Sequence, residues 1–362
     1  MGINSNKYTF GPYKKGEKNK ITDVKGVRIG HVTLDDGDIN TGVTAVLPHG
    51  GDIYNEKVVA AASILNGFGK SVGLIQIDEL GSIESPIIMT NTLSVGTALT
   101  ASIKYMMSKH KDMGANSGAT NCIVTECNDG VLNDMRGLHV KEEDVIDAIE
   151  NASSDFKEGS VGAGRGMISM NLKGGIGSSS RVISFNEKEY TIGTLVLSNT
   201  GNIKDFRICG DPIGERMYLA RKKNKEEKLE LENDDINDRE KGSIIIVIAT
   251  DLPASDRQLK RIANRASIAL GRVGSYMGHG SGDIAIAFST SNKIFANSEN
   301  SIFNTQVLDD DKIDIVFKAT VDSIEESIVS SIYHSETTVG RNGKIIYSLK
   351  DNMKNVNLEL DI

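Results

Sequence analysis

Two kinds of apolar pattern along the chain predict a mixture of strands and helices. The run Gly242–Ala249 has no polar alternation, which is typical of a strand buried on both faces. Asp283–Phe288, in which isoleucine and alanine alternate, predicts a second strand. Further short strands are predicted within 21–50, 72–77, 122–125, 167–172 and 191–197.

Helical spacing of apolar residues is clearest after Ser255. Ser255 and Gln258 form a capping-box pair, and apolar residues recur at helical intervals until Gly274. Further helices are predicted at 57–66, 91–110, 140–152 and 317–332. Because strands and helices are intermixed in pieces too short for regular βαβ winding, we expect packed sheets with helices outside them.

One segment interrupts this pattern. Lys222–Lys241 is strongly charged and has almost no apolar residues. Such a segment buries too little surface to offset its conformational entropy, so a solvated loop or linker is predicted.

Composition and charge exclude several classes of protein. The 362 residues include 41 Lys+Arg and 49 Asp+Glu, a net charge of −8, which argues against a nucleic-acid partner. The three cysteines are an odd number and form no C-x-x-C pair, which argues against both a disulfide framework and a zinc ribbon. The first twenty residues lack an apolar stretch, and no 18-residue apolar run occurs, so no membrane partner is predicted. A cytoplasmic protein is expected.

Standard catalytic motifs are missing from the sequence. The six histidines include no H-E-x-x-H pattern, and there is no G-x-S-x-G elbow. No metal site is therefore predicted, and the zinc-hydrolase and α/β-hydrolase classes are disfavoured.

The junction Gly242-Ser243 is a candidate for self-cleavage. Serine is a poor nucleophile until a base takes its proton, and a free α-amino group has a pKa of about 7.7–8.0. Cleavage between Gly242 and Ser243 would place nucleophile and base on one residue, and glycine tolerates the strained backbone that this step requires. The plain alternative is that Ser243 merely starts a strand after a loop, which these residues alone favour.

A second candidate is the glycine-rich segment 278–283. On an extended segment Ser281 and Asp283 face the same side, where they could orient a nucleophile or relay a proton. The alternative is a glycine turn that leads into the next strand.

Polar residues also follow two predicted strands. Glu126 and Asn128 begin a segment of carboxylates and amides suited to a substrate ammonium group. Asn199 ends another strand, where its side-chain amide could donate to a developing oxyanion. Ordinary turns are the alternative at both places.

Taken in order, these segments resemble the L-aminopeptidase/D-esterase and β-peptidyl aminopeptidase family, which are self-processing enzymes with an N-terminal serine nucleophile. The segments that carry the resemblance are 40–46, 67–70, 85–88, 90–92, 132–134, 173–181, 242–245 and 280–284.

The resemblance implies an α+β fold, a four-layer αββα sandwich of two packed sheets flanked by helices, similar to aminopeptidases and ornithine acetyltransferases. It implies one catalytic domain, 1–362, that is cut into 1–242, with a solvated tail at 222–242, and 243–362. The expected reaction is hydrolysis of N-terminal aminoacyl amides, esters or short peptides through an acyl-enzyme on Ser243, without metal or organic cofactor. A homo-oligomer, a tetramer of cleaved pairs, is also implied.

The family's residues carry over onto named positions. Ser243 is the nucleophile, Ser281 and Asp283 are the assisting serine and acid, Asn199 is the oxyanion amide, and Glu126 pairs with the substrate amine. The sequence departs at Asn128, where some members have a tyrosine, so no preference for chain length or chirality is carried over. Two alternatives stay open, an acyltransferase resembling ornithine acetyltransferases and a binding protein that keeps the fold without turnover.

Overall fold

The computed structural model describes residues 8–228, 241–296, 298 and 300–356. Its strands are β1 (Arg28–Asp36), β2 (Ile39–Leu47), β3 (Glu56–Gly67), β4 (Ser82–Ile83), β5 (Ile87–Asn91), β6 (Ile123–Cys127), β7 (Ile168–Ser169), β8 (Leu172–Lys173), β9 (Gly175–Phe185), β10 (Lys188–Asn199), β11 (Lys241–Thr250), β12 (Gly280–Phe295), β13 (Thr338–Val339) and β14 (Ile345–Ile346). Its α-helices are α1 (Leu74–Leu80), α2 (Val95–Lys109), α3 (Glu142–Glu150), α4 (Ile213–Lys228), α5 (Asp256–Ala263), α6 (Ala266–Val273), α7 (Ile313–Tyr333) and α8 (Leu349–Asn355).

Two sheets form the centre of the fold. One has the strand order β1-β2-β5-β6 and the other β4-β3-β12-β11-β10-β9. One apolar cluster fills the space between them, a second joins the four-stranded sheet to α2 and α3, and a third joins the six-stranded sheet to α5, α6 and α7. The predicted α+β, four-layer αββα sandwich is therefore confirmed.

Strand β11 lies at the centre of the six-stranded sheet. It pairs with β10 in antiparallel and with β12 in parallel orientation. Ile244, Ile246 and Ile248 pack toward the helices, while Ile245 and Val247 pack between the sheets. The absence of polar alternation in this run is thus explained by burial on both faces, as predicted.

Two of the predicted elements are wrong in type. Residues 57–66 form strand β3 rather than a helix, because the alanine-rich run pairs with β12 and β4 and is buried alternately toward both apolar layers. Residues 72–77 were expected to be a strand. Only Val72 forms a β-bridge there, to Val124, and helix α1 begins after Gly73, whose φ is +87°.

Two more predictions need adjustment. The capping box at Ser255 is confirmed by reciprocal hydrogen bonds of 3.2 Å with Gln258, but the helix is broken at Asn264–Arg265 into α5 and α6. In the charged segment predicted to be a solvated loop, residues 222–228 continue helix α4 instead, because lysine and glutamate propagate an existing helix well. Residues 229–240 lie outside the described residues, and 241–242 already belong to β11.

Candidate active site

A cavity of about 1210 Å³ opens where β11 begins and β10 and β6 end. Glu126, Asn128, Asn199, Gly242 and Ser243, all predicted from the sequence, line it. The other lining residues are Phe68, Lys70, Thr92, Val131, Gly166, Ile168, Asn171, Gly201, Arg221, Gly280, Lys344, Ile345, Ile346, Tyr347, Asn352, Asn355 and Val356. The fold thus brings most of the predicted site to one cavity.

The Gly242–Ser243 junction has an unusual backbone. Gly242 has a φ of +152°, and a Cβ atom at this position would lie 2.0 Å from the carbonyl oxygen of Asn199. Only glycine fits there without displacing the neighbouring strand. The junction lies at the last antiparallel pair of the ladder, where Ser243 is opposite Asn199.

Ser243 is 5% exposed, and its hydroxyl has no hydrogen-bond partner of regular geometry within the described part of the chain, where the Cys127 thiol is its polar neighbour. Leaving a buried hydroxyl unpaired costs stability. Among the described residues Ser243 shares this state with Thr22, Ser71 and Thr120, and of these four only Ser243 lines the cavity. The neighbouring Cys127 thiol is fully buried, and desolvation raises its pKa well above the usual range. The thiol is thus kept protonated and inert beside Ser243.

Ser281 and Asp283 form a buried pair on strand β12. The Ser281 hydroxyl donates to Asp283 Oδ1 at 2.6 Å, which confirms that the two side chains face the same side. In the parallel register, Ser281 is opposite Gly242 and Asp283 opposite Ile244. Because side chains alternate between the two faces of a strand, Ser281 and Asp283 lie on the face that packs against the helices, as does the Gly242 position. The Ser243 side chain points to the other face, between the sheets. Neither Ser281 nor Asp283 lines the cavity.

The Asn199 amide is fixed at both ends. Its Oδ1 accepts from the backbone N–H of Ile168 at 2.8 Å, and its Nδ2 donates to the carbonyl oxygen of Asn128 at 3.0 Å. Alternation along β10 and β11 directs Asn199 and Ser243 to the same side of the sheet. Asn128 contributes its backbone to this arrangement, and its own side chain is exposed and accepts from the N–H of Gly130.

Glu126 is a buried carboxylate whose partners are neutral. Its Oε1 accepts from the backbone N–H of Lys70 at 2.9 Å, and its Oε2 accepts from the Thr92 hydroxyl. Within the described residues it forms no ion pair, although it is only 5% exposed. A buried carboxylate in this state is suited to an ammonium group from a ligand.

Sequence reasoning missed Lys173 as a residue of this site. Its fully buried ammonium group donates to three backbone carbonyls, of Gly164, Met167 and Gly174, at 2.7 to 3.1 Å. Burial lowers its pKa well below the usual range. These bonds hold the loop whose Ile168 N–H orients Asn199, so Lys173 positions the amide through the backbone. A lysine in a glycine-rich segment gives no sequence signal of burial.

The C-terminal wall of the cavity was also missed. Residues 344–347, helix α8 and Val356 after it supply seven of the lining residues, but their short elements carry no periodic pattern. Within 8–228, 241–296, 298 and 300–356, no three His, Cys, Asp or Glu side chains are grouped as metal ligands. No helix among these residues is long and apolar enough to cross a membrane.

Comparison with known proteins places this site in context. Residues 19–346 match the model of Peptidase family S58. The chain is 36% identical over 349 residues to the β-peptidyl aminopeptidase BapA of Sphingosinicella microcystinivorans, covering 93% of this chain and 86% of that protein.

Solved structures agree with this match. The PH0078 protein from Pyrococcus horikoshii OT3 superposes with a TM-score of 0.87 at 45% identity, covering 97% of this chain and 96% of that one. The L-aminopeptidase D-Ala-esterase/amidase from Ochrobactrum anthropi, described as a prototype of the serine aminopeptidases and a variant of the Ntn hydrolase fold, superposes with a TM-score of 0.85 at 34% identity, covering 96% and 95%.

Proposed function

The chain belongs to Peptidase family S58 and is a hydrolase of the aminopeptidase type, and from this premise we propose that Ser243 is its self-released nucleophile. The observation that supports the proposal most strongly is the buried, unbonded Ser243 hydroxyl directly after the strained Gly242, at the wall of a cavity that also holds Glu126. The proposed substrates are N-terminal aminoacyl amides, esters and short peptides.

Self-cleavage would proceed through an ester. Ser243 Oγ attacks the Gly242 carbonyl carbon, the C–N bond breaks, and the nitrogen takes a proton to become the Ser243 α-amine. Water then hydrolyses the ester and leaves a Gly242 carboxylate. The register of Ser281 with Gly242 supports a role for the Ser281–Asp283 pair at the peptide nitrogen, where it would hold or move this proton.

Turnover would use the same groups. Glu126 binds the substrate ammonium, and Ser243 Oγ attacks the substrate carbonyl while its α-amine takes the hydroxyl proton. The Asn199 Nδ2 group donates to the oxyanion and stabilises it. This role is supported by the position of Asn199, which is opposite Ser243 and on the same side of the sheet. The leaving amine takes the proton, and water releases the acyl group from Ser243.

A pair of chromogenic substrates tests this function. Aminoacyl p-nitroanilides with a free amine should be hydrolysed, and the same anilides with an acetylated amine should not. Glu126→Gln should raise KM for the free-amine substrates by about 10-fold or more, because a charge-assisted hydrogen bond is lost. If an acetylated amino acid instead transfers its acetyl group to an amine faster than water hydrolyses it, the enzyme is an acyltransferase. An intact chain without turnover of any anilide indicates a binding protein.

The assembly proposed from the sequence has a direct test, and the proposed compartment has one supporting observation. The predicted tetramer of cleaved pairs is tested by light scattering of the purified protein. The cysteines Cys122, Cys127 and Cys209 are all free, which supports the predicted cytoplasmic location.

A further inference from the structure

The cavity has two chemically different flanks, one on each side of Ser243. A methyl carbon placed on Gly69 would lie 3.5 Å from Glu126 Oε1 and 3.8 Å from Gly282 Cα, so the Glu126 carboxylate lies beside β12. On the far side of Ser243 the next strand is β10, followed by β9. The amine-binding flank and the flank beyond β10 are therefore separated by the nucleophile.

The second flank is built by Arg221 and helix α8. Arg221 belongs to helix α4, which packs against the 3₁₀ turn Ile203–Asp205 that follows β10. Helix α8 contacts β8 and α7, and α7 covers β9 and β10. Both elements therefore lie on the β10 side of Ser243, where their side chains line the cavity.

Arg221 is held in a defined orientation. With its amide oxygen directed at the guanidinium group, the buried Asn352 accepts from Arg221 Nε at 2.8 Å and from Nη2. The wall itself is anchored, since the backbone N–H of Lys173 donates to the Tyr347 carbonyl at 2.9 Å and Ser348 caps helix α8. An oriented guanidinium group binds a carboxylate more selectively than a flexible ammonium group does.

The charges of the cavity are asymmetric. Glu126 is the sole acidic residue among its described lining residues, whereas Lys70, Arg221 and Lys344 are basic. Lys70 lies over the Phe68 ring on the amine-binding flank, and Lys344 is exposed. Arg221 is half-buried and is thus the cation best shielded from solvent on the second flank.

We propose that Arg221 binds the free C-terminal carboxylate of a short peptide substrate whose amine is held by Glu126. The inference rests on the proposed function and specifies its substrate class, peptides with both termini free. The two strand spacings from β12 to β10 span about 10 Å. Because an extended chain rises about 3.3–3.6 Å per residue, about three residues reach across Ser243 from one flank to the other.

Matched peptides test the role of the carboxylate. The probes are L-alanyl-L-leucine, β-alanyl-L-leucine, their glycine-extended tripeptides and the C-terminal amides of all four, assayed with the processed enzyme. Because about three residues are needed to reach across, wild type should hydrolyse the tripeptide acids with a kcat/KM about 10-fold or more above the matching amides, and the dipeptide acids should show a smaller preference. Arg221→Met should lower kcat/KM for the tripeptide acids by about 10-fold or more, mainly through KM, and change the amides by less than about twofold.

Two variants serve as controls. Lys223→Met removes the same charge from the same helix at an exposed position that does not line the cavity, and it should leave both substrate classes unchanged. Lys344→Met removes an exposed cation and should have a smaller effect than Arg221→Met, because solvent screens exposed charges.

The outcomes separate this inference from the function on which it rests. Three results would overturn the role of Arg221 and leave the aminopeptidase in place. In the first, Arg221→Met lowers kcat/KM equally for acids and amides; in the second, it lowers kcat/KM for neither. In the third, the enzyme hydrolyses anilides but no peptides. If wild type hydrolyses neither anilides nor peptides, the proposed function itself fails.

Discussion

The two ends of strand β11 differ in strand pairing and backbone conformation. From Ile244 to Ala249 every residue is buried, side chains alternate between two apolar layers, and both neighbouring strands are paired. At the cavity end, pairing with β10 stops at Ser243. Gly242, whose φ is +152°, has Ser281 of β12 as its sole strand partner among the described residues. The regular interior acts as a rigid support that holds an unfavourable glycine and an unbonded serine in place.

Substitution of Ser281 should have the largest effect. It lies at the cavity end of β12, and removing its hydroxyl breaks the bond to Asp283 beside the Gly242 position. We expect Ser281→Ala to slow self-cleavage and anilide turnover by about 10²–10⁴-fold, the usual range for a lost proton-transfer group.

Ser289→Ala is the matched control for this variant. Ser289 is equally buried on the same strand, but its hydroxyl donates to the Leu252 carbonyl. It should lower stability slightly and leave both rates unchanged. Equal rate losses in the two variants would mean that the hydroxyls only support the strand.

Truncation in the interior of β11 should produce the opposite result. Ile246 is fully buried in the layer toward the helices, so Ile246→Ala should lower the free energy of unfolding by about 2–5 kcal/mol. Urea unfolding in the uncut Ser243→Ala background measures this change. Because the site lies at the strand end, turnover per folded molecule should stay within about twofold of wild type. A catalytic loss larger than that would show that the two ends are not independent.

A third region provides a pH-dependent test of stability away from the site. His31, on β1, bonds to the Thr44 hydroxyl, and burial lowers its pKa from 6.5 to about 4. The folded state therefore binds this proton less tightly than the unfolded state, so the stabilisation present above pH 6.5 is lost as the pH falls toward 4. The loss amounts to about 3 kcal/mol.

The variant His31→Gln isolates this contribution. Burial raises the pKa of Asp129 to about 6, so that residue titrates with the opposite sign over part of the same range. Asp129 is common to both proteins, and the difference in unfolding free energy between wild type and variant should fall by about 3 kcal/mol from pH 7 to pH 4. A constant difference would refute the assigned cause.

Substitution of Gly242 should have the smallest effect. An alanine there meets the Asn199 carbonyl at 2.0 Å and adopts a backbone that side chains rarely allow. The scissile carbonyl must shift, and self-cleavage should slow by about 10-fold or more. Gly271→Ala on helix α6 is the control, since no atom lies within 4 Å of a Cβ there. A Gly242→Ala protein that cleaves at the wild-type rate would show that the strain has no role.

The local sequence predicted those elements whose residue types by themselves indicate burial or a helix start. The isoleucine-rich β11 and the capped helix at Ser255 were found for that reason. Strand β3 was missed because its alanines suit a helix equally well and only the pairing with β12 decides between them. The resemblance predicted Ser243, Asn199 and Glu126 as site residues, and all three line one cavity. The contributions of Lys173, Arg221 and helix α8 depend on contacts between distant segments, which no local pattern contains.

Intact mass with N-terminal sequencing of the wild-type protein and of Ser243→Ala tests the nucleophile most directly. We expect wild type to yield fragments of 242 and 120 residues, since 362 − 242 = 120, with the smaller fragment starting Ser-Ile-Ile-Ile. In proportion to 39.0 kDa these are about 26 and 13 kDa, and Ser243→Ala should stay whole. A whole 39.0 kDa chain in both samples, or a cut in both, would contradict self-release by Ser243.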